Sequence, residues 1–388
     1  MSGTFVIAQG GGPTAVINQT LAGAVSAIRQ RHPGARILGA RHGVRGLRDG
    51  NLVEFDSVSP DQLDRLARTP GAALGSTRDK PDAAYCEAVL KGLRAVAADA
   101  FIYIGGNDTA GTQKIIAEAS GGSIACVHAP KTIDNDLVEN DHTPGFISAA
   151  EFVAGAFAGA DLDFRSLPGI YVGIVMGRHA GFLTAASAAW RMDADSAPHL
   201  VYVPERAFDR HRFIDGIKFA LARHGHCIVA MSEGVSDSDG RSLVEGLVPP
   251  EMLERDPHGN VRLSGTDLGQ AVERILAQEL PRVRARVDTF GYLPRSHAGL
   301  INATDQREAF EAGAFAAEVA DSGSFSVALQ FDGRATRPMR VALGAVAGKT
   351  RHMPDGFLRD DRDQVSDACM EYLARLLPPR PDMGRPFV

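Results

Sequence analysis

Short apolar runs alternate along the chain with longer Ala-rich stretches of helical character. The strand-like runs are Thr4–Ala8, Ile37–Ala40, Phe101–Ile104, Ser123–Val127, Ile170–Met176, Leu200–Val203, Cys227–Ser232, Val327–Phe331 and Arg340–Leu343. Nearly all of them lack polar alternation, as expected for strands covered on both faces. Helical stretches follow several of them: Ala15–Arg31, Thr109–Ala119, Ser148–Ala160, Ala180–Trp190 and Phe213–Arg223. This β-α alternation predicts an α/β protein, with mostly parallel sheets and helices on both faces. The composition shifts between Asp237 and Pro281, where Asp256-Pro-His-Gly-Asn260 reads as a turn, so this stretch is an excursion from the main fold. The tail from Pro378 to Pro386 is Pro-rich and reads as frayed. A domain boundary falls near Gly145, and the chain crosses back around Gly291.

The 388 residues suffice for two or three domains with a sizeable core. Composition is that of an ordinary globular protein, and 42 glycines fit many tight strand-to-helix turns. Lys plus Arg number 41 against 47 Asp plus Glu, a net charge of −6, which argues against nucleic acid or an anionic membrane as partner. Four scattered cysteines, Cys86, Cys126, Cys227 and Cys369, form no C-x-x-C and so no zinc or disulfide framework. No leader-like segment precedes the first strand. No run approaches the ~18 apolar residues that span a bilayer. A reducing, cytoplasmic setting is expected.

Candidate chemistry lies in the turns that leave strands, where open α/β sheets bind ligands. Pro130-Lys-Thr-Ile-Asp-Asn-Asp136 places two carboxylates, a lysine and a threonine after one such run. That set suits an anionic substrate and removal of a proton from it. Gly10-Gly-Gly-Pro-Thr-Ala15 opens a helix after the first strand, where glycines let backbone N–H groups approach an anion. The fragment also satisfies G-x-G-x-x-A. A dinucleotide site expects an acidic residue roughly 20 positions on. Here the second strand ends in Arg41 and His42, which disfavours NAD and leaves an NADP-dependent oxidoreductase as a remote reading. Gly105-Gly-Asn-Asp-Thr109 is a second glycine turn, with Thr109 placed to cap the next helix. Asn107 and Asp108 offer oxygens of the kind that hold Mg²⁺ through water or phosphate, although taken alone an ordinary capping turn is the better explanation of them. Gly344 to Thr350 is one residue short of a Walker A loop and is a decoy. Arg178, in Met176-Gly-Arg-His-Ala-Gly181, has the planar fork that suits a phosphate. Arg282, Arg284 and Arg286 form a basic cluster that reads either as a sugar-phosphate grip or as a solvated helix face.

Taken in order, these segments resemble the phosphofructokinase family. The pieces are Gly11-Gly12-Pro13 with Asn18, Leu74-Gly-Ser-Thr-Arg78, Gly105-Gly-Asn-Asp-Thr109 and Pro130-Lys-Thr-Ile-Asp-Asn-Asp136, then Met176-Gly-Arg178, Pro204-Glu205 and Gly291-Tyr292-x-x-Arg295. The resemblance implies two Rossmann-like three-layer α/β/α domains with the active site in the cleft between them. Residues 1–145, with 288–322 returning, would handle the phosphoryl donor; residues 146–287, completed by 323–388, would hold the sugar phosphate. It further implies Mg²⁺-dependent phosphorylation of the 1-hydroxyl of fructose 6-phosphate, in glycolysis and gluconeogenesis, by a homodimer or homotetramer. Asp134 would be the general base, among a catalytic set of Lys131, Asp108, Arg178, Thr132 and Asp136. Thr132, Ile133, Met176, Gly177, Arg178, Glu205, Arg286, Tyr292 and Arg295 would bind the sugar phosphate. Gly12, Arg78, Asn107, Asp108 and Lys131 would surround the donor, with Asn107 and Asp108 at the metal.

Two positions bear on the donor. ATP-using members usually carry glycine where this chain has Asp108 and Lys131. A carboxylate at 108 would occupy the place of the ATP α-phosphate, and Lys131 would sit against that carboxylate and the pyrophosphate. The resemblance therefore implies the pyrophosphate-dependent branch, and Tyr292, where many ATP enzymes have histidine, agrees. An ATP-dependent enzyme, or a kinase of another sugar phosphate such as sedoheptulose 7-phosphate, is the alternative. A non-catalytic sugar-phosphate sensor would not need Asp134. Asn107 replaces a common metal-associated aspartate. Gly169 stands where many members carry an arginine, and Arg165 is the nearby candidate to replace it.

Overall fold

A computed structural model describes residues 3–193, 195–243, 245, 265–359, 361–382 and 384. The chain forms two compact units, Met1–Ala149 with Arg295–Arg351, and Ala150–Pro294 with His352–Val388.

The first unit is built on seven strands: β1 (Thr4–Gln9), β2 (Arg36–Ala40), β3 (Leu52–Glu54), β4 (Ala100–Gly105), β5 (Ala125–Pro130), β10 (Phe325–Phe331) and β11 (Thr336–Val341). Their order is β11-β10-β5-β4-β1-β2-β3. The five central strands run parallel, and β3 and β11 close the edges antiparallel. Helices cover both faces. Ile17, Leu21, Val25 and Ile28 of helix Ile17–Arg31 pack on one face with Ala312 and Ala316 of helix Ala303–Val319. Val89, Leu90, Leu93 and Ile116 cover the other. The two helices on the first face touch backbone to backbone: a Cβ at Gly23 would collide with the Phe310 carbonyl, and one at Gly313 with that of Thr20. The strand order reverses between β1 and β4, and loops leaving such a switch point line a ligand crevice.

The second unit has an all-parallel sheet, β7-β8-β6-β9, from β6 (Ile170–Val175), β7 (Leu200–Tyr202), β8 (Cys227–Ser232) and β9 (Ala285–Thr289). Its buried face carries Val172, Ile174, Val229 and Met231 against Phe213 and Ile217 of helix Arg210–His224.

Several expectations need correction. Residues 323–351 belong to the first unit, because β10 pairs with β5 and β11 with β10. Residues 288–294 stay in the second, since β9 pairs with β6. The run Arg340–Leu343 only overlaps β11, whose residues alternate in burial at a sheet edge and so escaped an apolar-run reading. The stretch 180–190 yields a single helical turn, Phe182–Ala185, and a 3₁₀ turn, Ala186–Ala188. Helix Gly265–Glu279 lies in the 237–281 excursion, whereas the Asp256–Asn260 turn falls outside the described residues.

Candidate active site

The loop after β1 is held by buried amides. Gln9 Nε2 donates to Asn18 Oδ1 at 2.9 Å, and Gln9 Oε1 accepts from Leu74 N at 2.9 Å. Asn18 Oδ1 also accepts from Ala73 N at 2.9 Å, and its amide donates to Thr69 O at 2.8 Å. Asn18 is thus a clamp that fixes segment 69–78 beside the glycine loop. Ser76 Oγ donates to Gly11 O at 2.6 Å, and Gly11 N donates to Thr77 O at 3.0 Å. Arg78 is exposed at the end of this segment.

After β5 the chain bends at Ile133 and Asp134, and burial alternates along it. Lys131, Ile133 and Asn135 are buried; Thr132, Asp134 and Asp136 are half-buried. Lys131 is only 3% exposed, and its Nζ donates to Gly12 O at 2.7 Å. Burial, reinforced by Arg295, pushes its pKa down to about 8 against the pull of Asp134 and Asp136. Arg295 is buried too, and its Nε reaches Pro13 O at 3.5 Å. A Cβ at Gly12 would stand 2.9 Å from the Arg295 guanidinium, so any other residue there would make that side chain shift. A buried lysine and a buried arginine therefore meet a glycine turn beside two carboxylates. That arrangement grips a polyanion while leaving a proton acceptor nearby.

Helix Asn107–Ser120 starts two residues earlier than expected. Its N-cap is Gly106, with no side-chain cap, so Thr109 does not cap it. Instead the Thr109 side chain fills the space that a Cβ at Gly105 would need. Asn107 Nδ2 donates to Asp136 Oδ2 at 3.0 Å. That contact leaves Oδ1, which is buried without a hydrogen-bond partner. Asp108 is 69% exposed on its side chain and pairs with Lys80 at 3.5 Å. The expected pairing of Lys131 with Asp108 is therefore corrected: the buried Lys131 bonds Gly12, and Asp108 takes an exposed lysine that the motif reading passed over.

His128 is a second residue missed in the sequence. Its Nε2 bonds Gly105 O at 2.9 Å and its Nδ1 bonds Ser326 Oγ at 2.8 Å. Burial pushes its pKa down to about 4, so it is neutral and ties the ends of β4, β5 and β10. Nothing marks it in the sequence beyond a polar residue in an apolar strand.

In the second unit, Met176, Gly177 and Arg178 leave β6. Ser232 Oγ donates to Gly177 O at 2.7 Å. Arg178 is exposed and forms no ion pair among the described residues. Glu205 Oε1 accepts from Gly181 N at 2.9 Å and from Met353 N at 2.8 Å. Its Oε2 is buried without a hydrogen-bond partner, an acceptor in waiting. The basic cluster lies on edge strand β9 and just before it, not on a helix. Arg284 stacks 4.9 Å over Phe164 and donates to Leu167 O at 3.0 Å, while Arg286 is exposed. Tyr292 is 64% exposed. At Gly169 a Cβ would meet Arg284 O at 2.6 Å, which excludes an arginine without backbone movement. Arg165 is bound to Asp161 at 3.2 Å. Among the described residues no group of three or more His, Cys, Asp or Glu could hold a metal by itself.

Two α/β units whose strand-end loops carry cations and carboxylates define a phosphate-handling protein. The chain belongs to the phosphofructokinase family, whose model, Phosphofructokinase, matches residues 4–320. A pyrophosphate–fructose 6-phosphate 1-phosphotransferase of Rhodospirillum rubrum is 47% identical over 382 residues, covering 97% of this chain and 94% of that protein. One of the same description from Xanthomonas campestris is 34% identical over 393 residues, covering 97% and 92%. The crystal structure of a pyrophosphate-dependent phosphofructokinase from Nitrosospira multiformis superposes with a TM-score of 0.85 at 28% identity, over 100% of this chain and 94% of that one.

Proposed function

We propose that the chain transfers a phosphoryl group reversibly from pyrophosphate to the 1-hydroxyl of fructose 6-phosphate, giving fructose 1,6-bisphosphate and phosphate in glycolysis and gluconeogenesis. The carrying observation is the buried Lys131 ammonium, 2.7 Å from the Gly12 carbonyl and three residues before Asp134. The 47% identity to a pyrophosphate-using relative supports the donor.

In this reading Asp134 accepts the proton of the 1-hydroxyl as the oxygen attacks the terminal phosphorus of pyrophosphate. The bond to the bridging oxygen breaks, and phosphate leaves with the electron pair. A loose phosphoryl transition state asks mainly for positioning and charge neutralisation. Lys131, with Gly12 and Arg78, supplies these on the donor side, and Arg178 supports the group in transfer. Thr132 and Ile133 set the turn, and Thr132 Oγ1 accepts from Asp134 N at 3.1 Å. Met176, Gly177, Glu205, Tyr292 and Arg295 hold the sugar phosphate. Arg286 joins them from a neighbouring subunit of a homodimer or homotetramer. The donor oxygens Asn107 Oδ1 and the Asp108 carboxylate, with Asp136 beside them, fit a Mg²⁺ ion held mostly through phosphate and water. Bound there, the ion would neutralise the donor's negative charge. Asp108 stands against the α-phosphate of ATP and so favours the smaller donor. The four buried, free cysteines suit a reducing cytoplasm. No helix among the described residues is long and apolar enough to cross a membrane.

The test is initial rates with fructose 6-phosphate and Mg²⁺, offering pyrophosphate or ATP in parallel. Turnover with pyrophosphate alone is expected. Turnover with ATP and none with pyrophosphate would overturn the donor assignment.

A further inference from the structure

We propose that Arg351 is a positioning residue that holds the catalytic turn in its reactive shape; the proposal rests on the reading of Asp134 as the base. The far end of the segment after Asp134 is tied to strand β10, where Asp141 N donates to Leu329 O at 2.8 Å and Asn140 Oδ1 accepts from Leu329 N at 2.8 Å. Asn135 is fully buried and has a φ of +59°, in the left-handed region that asparagine tolerates better than most non-glycine residues. Arg351 holds it from far along the chain. Its Nη1 donates to Asn135 Oδ1 at 3.1 Å and to Asp141 O at 2.7 Å, and stands 3.5 Å from Asn135 O. Its backbone N donates to Asp136 O at 2.8 Å. One residue thus binds both ends of segment 135–141.

The neighbours of Asn135 make this contact matter for chemistry. Asp134 precedes it, and Asp136, which follows, orients the Asn107 amide at 3.0 Å. A rotation at Asn135 would displace the base and the Asn107 oxygen together. The chain passes into the second unit directly after Arg351. There His352 Nδ1 donates to His179 O at 2.9 Å, and Met353 N donates to Glu205 Oε1 at 2.8 Å. The motif reading passed over Arg351, since it follows the Walker-like decoy and its partners are remote in sequence.

The test uses the full chain with Arg351→Ala and Arg351→Lys. Turnover is measured in both directions, with hydrogen exchange of peptides covering 131–141 in the absence of substrate. For Arg351→Ala, kcat should fall about 10²-fold, the scale of a small misplacement of reacting groups. KM values should stay within about threefold. Exchange should accelerate in 131–141 and not across the β1–β4–β5 sheet, and added free guanidinium should restore part of kcat. If Arg351→Ala fails to fold, Arg351→Lys, which keeps the charge but not the planar fork, carries the same expectation at smaller size. An unchanged kcat, or exchange accelerated throughout the first unit, would overturn the proposal. Absence of wild-type turnover with pyrophosphate would sink the proposed function instead, and the exchange measurement would still read the clamp.

Discussion

Lys131 Nζ donates to the Gly12 carbonyl at 2.7 Å, joining the loop that leaves β5 to the loop that leaves β1. The contact puts a cation under the donor loop, near Asp134 and Asp136 but in no ion pair among the described residues. Its charge therefore stays available to a bound anion, and its burial makes that charge sensitive to pH.

That sensitivity gives the first prediction. Burial lowers the Lys131 pKa to about 8, so the ammonium is present below that value and lost above it. The kcat/KM for pyrophosphate should fall along a single-proton limb as pH rises through about 8. Lys131→Arg keeps its charge at every accessible pH, so its profile should lack the limb even if its rate is low. An alkaline limb unchanged in Lys131→Arg would assign the titration to another group.

Asp134→Asn removes the proposed proton acceptor and keeps the shape. Turnover should fall by roughly 10²–10⁴, the usual contribution of a positioned base. Binding of fructose 6-phosphate, read by calorimetry, should be largely kept. Full retention of rate would discard Asp134 as the base.

The strands and their loops were legible for a physical reason. β1, β4, β6 and β8 are buried on both faces, so each reads as an unbroken apolar run with its glycine or charged turn directly behind it. β9 and β11 lie at sheet edges, where exposed arginines dilute the pattern. Residues 180–190 look helical by composition, yet the α-helix lasts one turn and the chain tightens into the 3₁₀ turn Ala186–Ala188. Arg295 over Gly12, Lys80 on Asp108 and Arg351 on Asn135 are contacts between segments far apart in the chain, and no local pattern announces them.

Asp108 and Lys131 bear differently on donor choice. The Asp108–Lys80 pair is exposed at 3.5 Å, and such surface pairs contribute about 0–1 kcal/mol. Asp108→Gly should therefore leave the fold intact, costing at most about 1 kcal/mol of helix propensity. Binding of ATP should tighten in Asp108→Gly and further in the double variant with Lys131→Gly, even if turnover does not follow. Equal ATP affinity in all three proteins, measured by titration calorimetry, would refute the charge and volume argument.

His142 links the segment beyond the turn to helix Ala303–Val319, and its charge should appear in the stability profile. Its Nδ1 stands 2.8 Å from Asp141 and its Nε2 stands 2.6 Å from Glu308, with the ring buried. Burial alone would lower its pKa; the hydrogen bonds to both carboxylates outweigh it, and the folded value lies above the ordinary 6.5. A group with a raised folded pKa stabilises fully below its unfolded value and loses that contribution as pH rises through the folded one. The stability lead of the wild type over His142→Gln, from urea unfolding, should be greatest below about pH 6.5. It should shrink steadily above that pH, as the imidazolium loses its proton between two carboxylates. A lead that grows with pH would mean that His142 is neutral in the folded protein and that the two contacts do not depend on its charge.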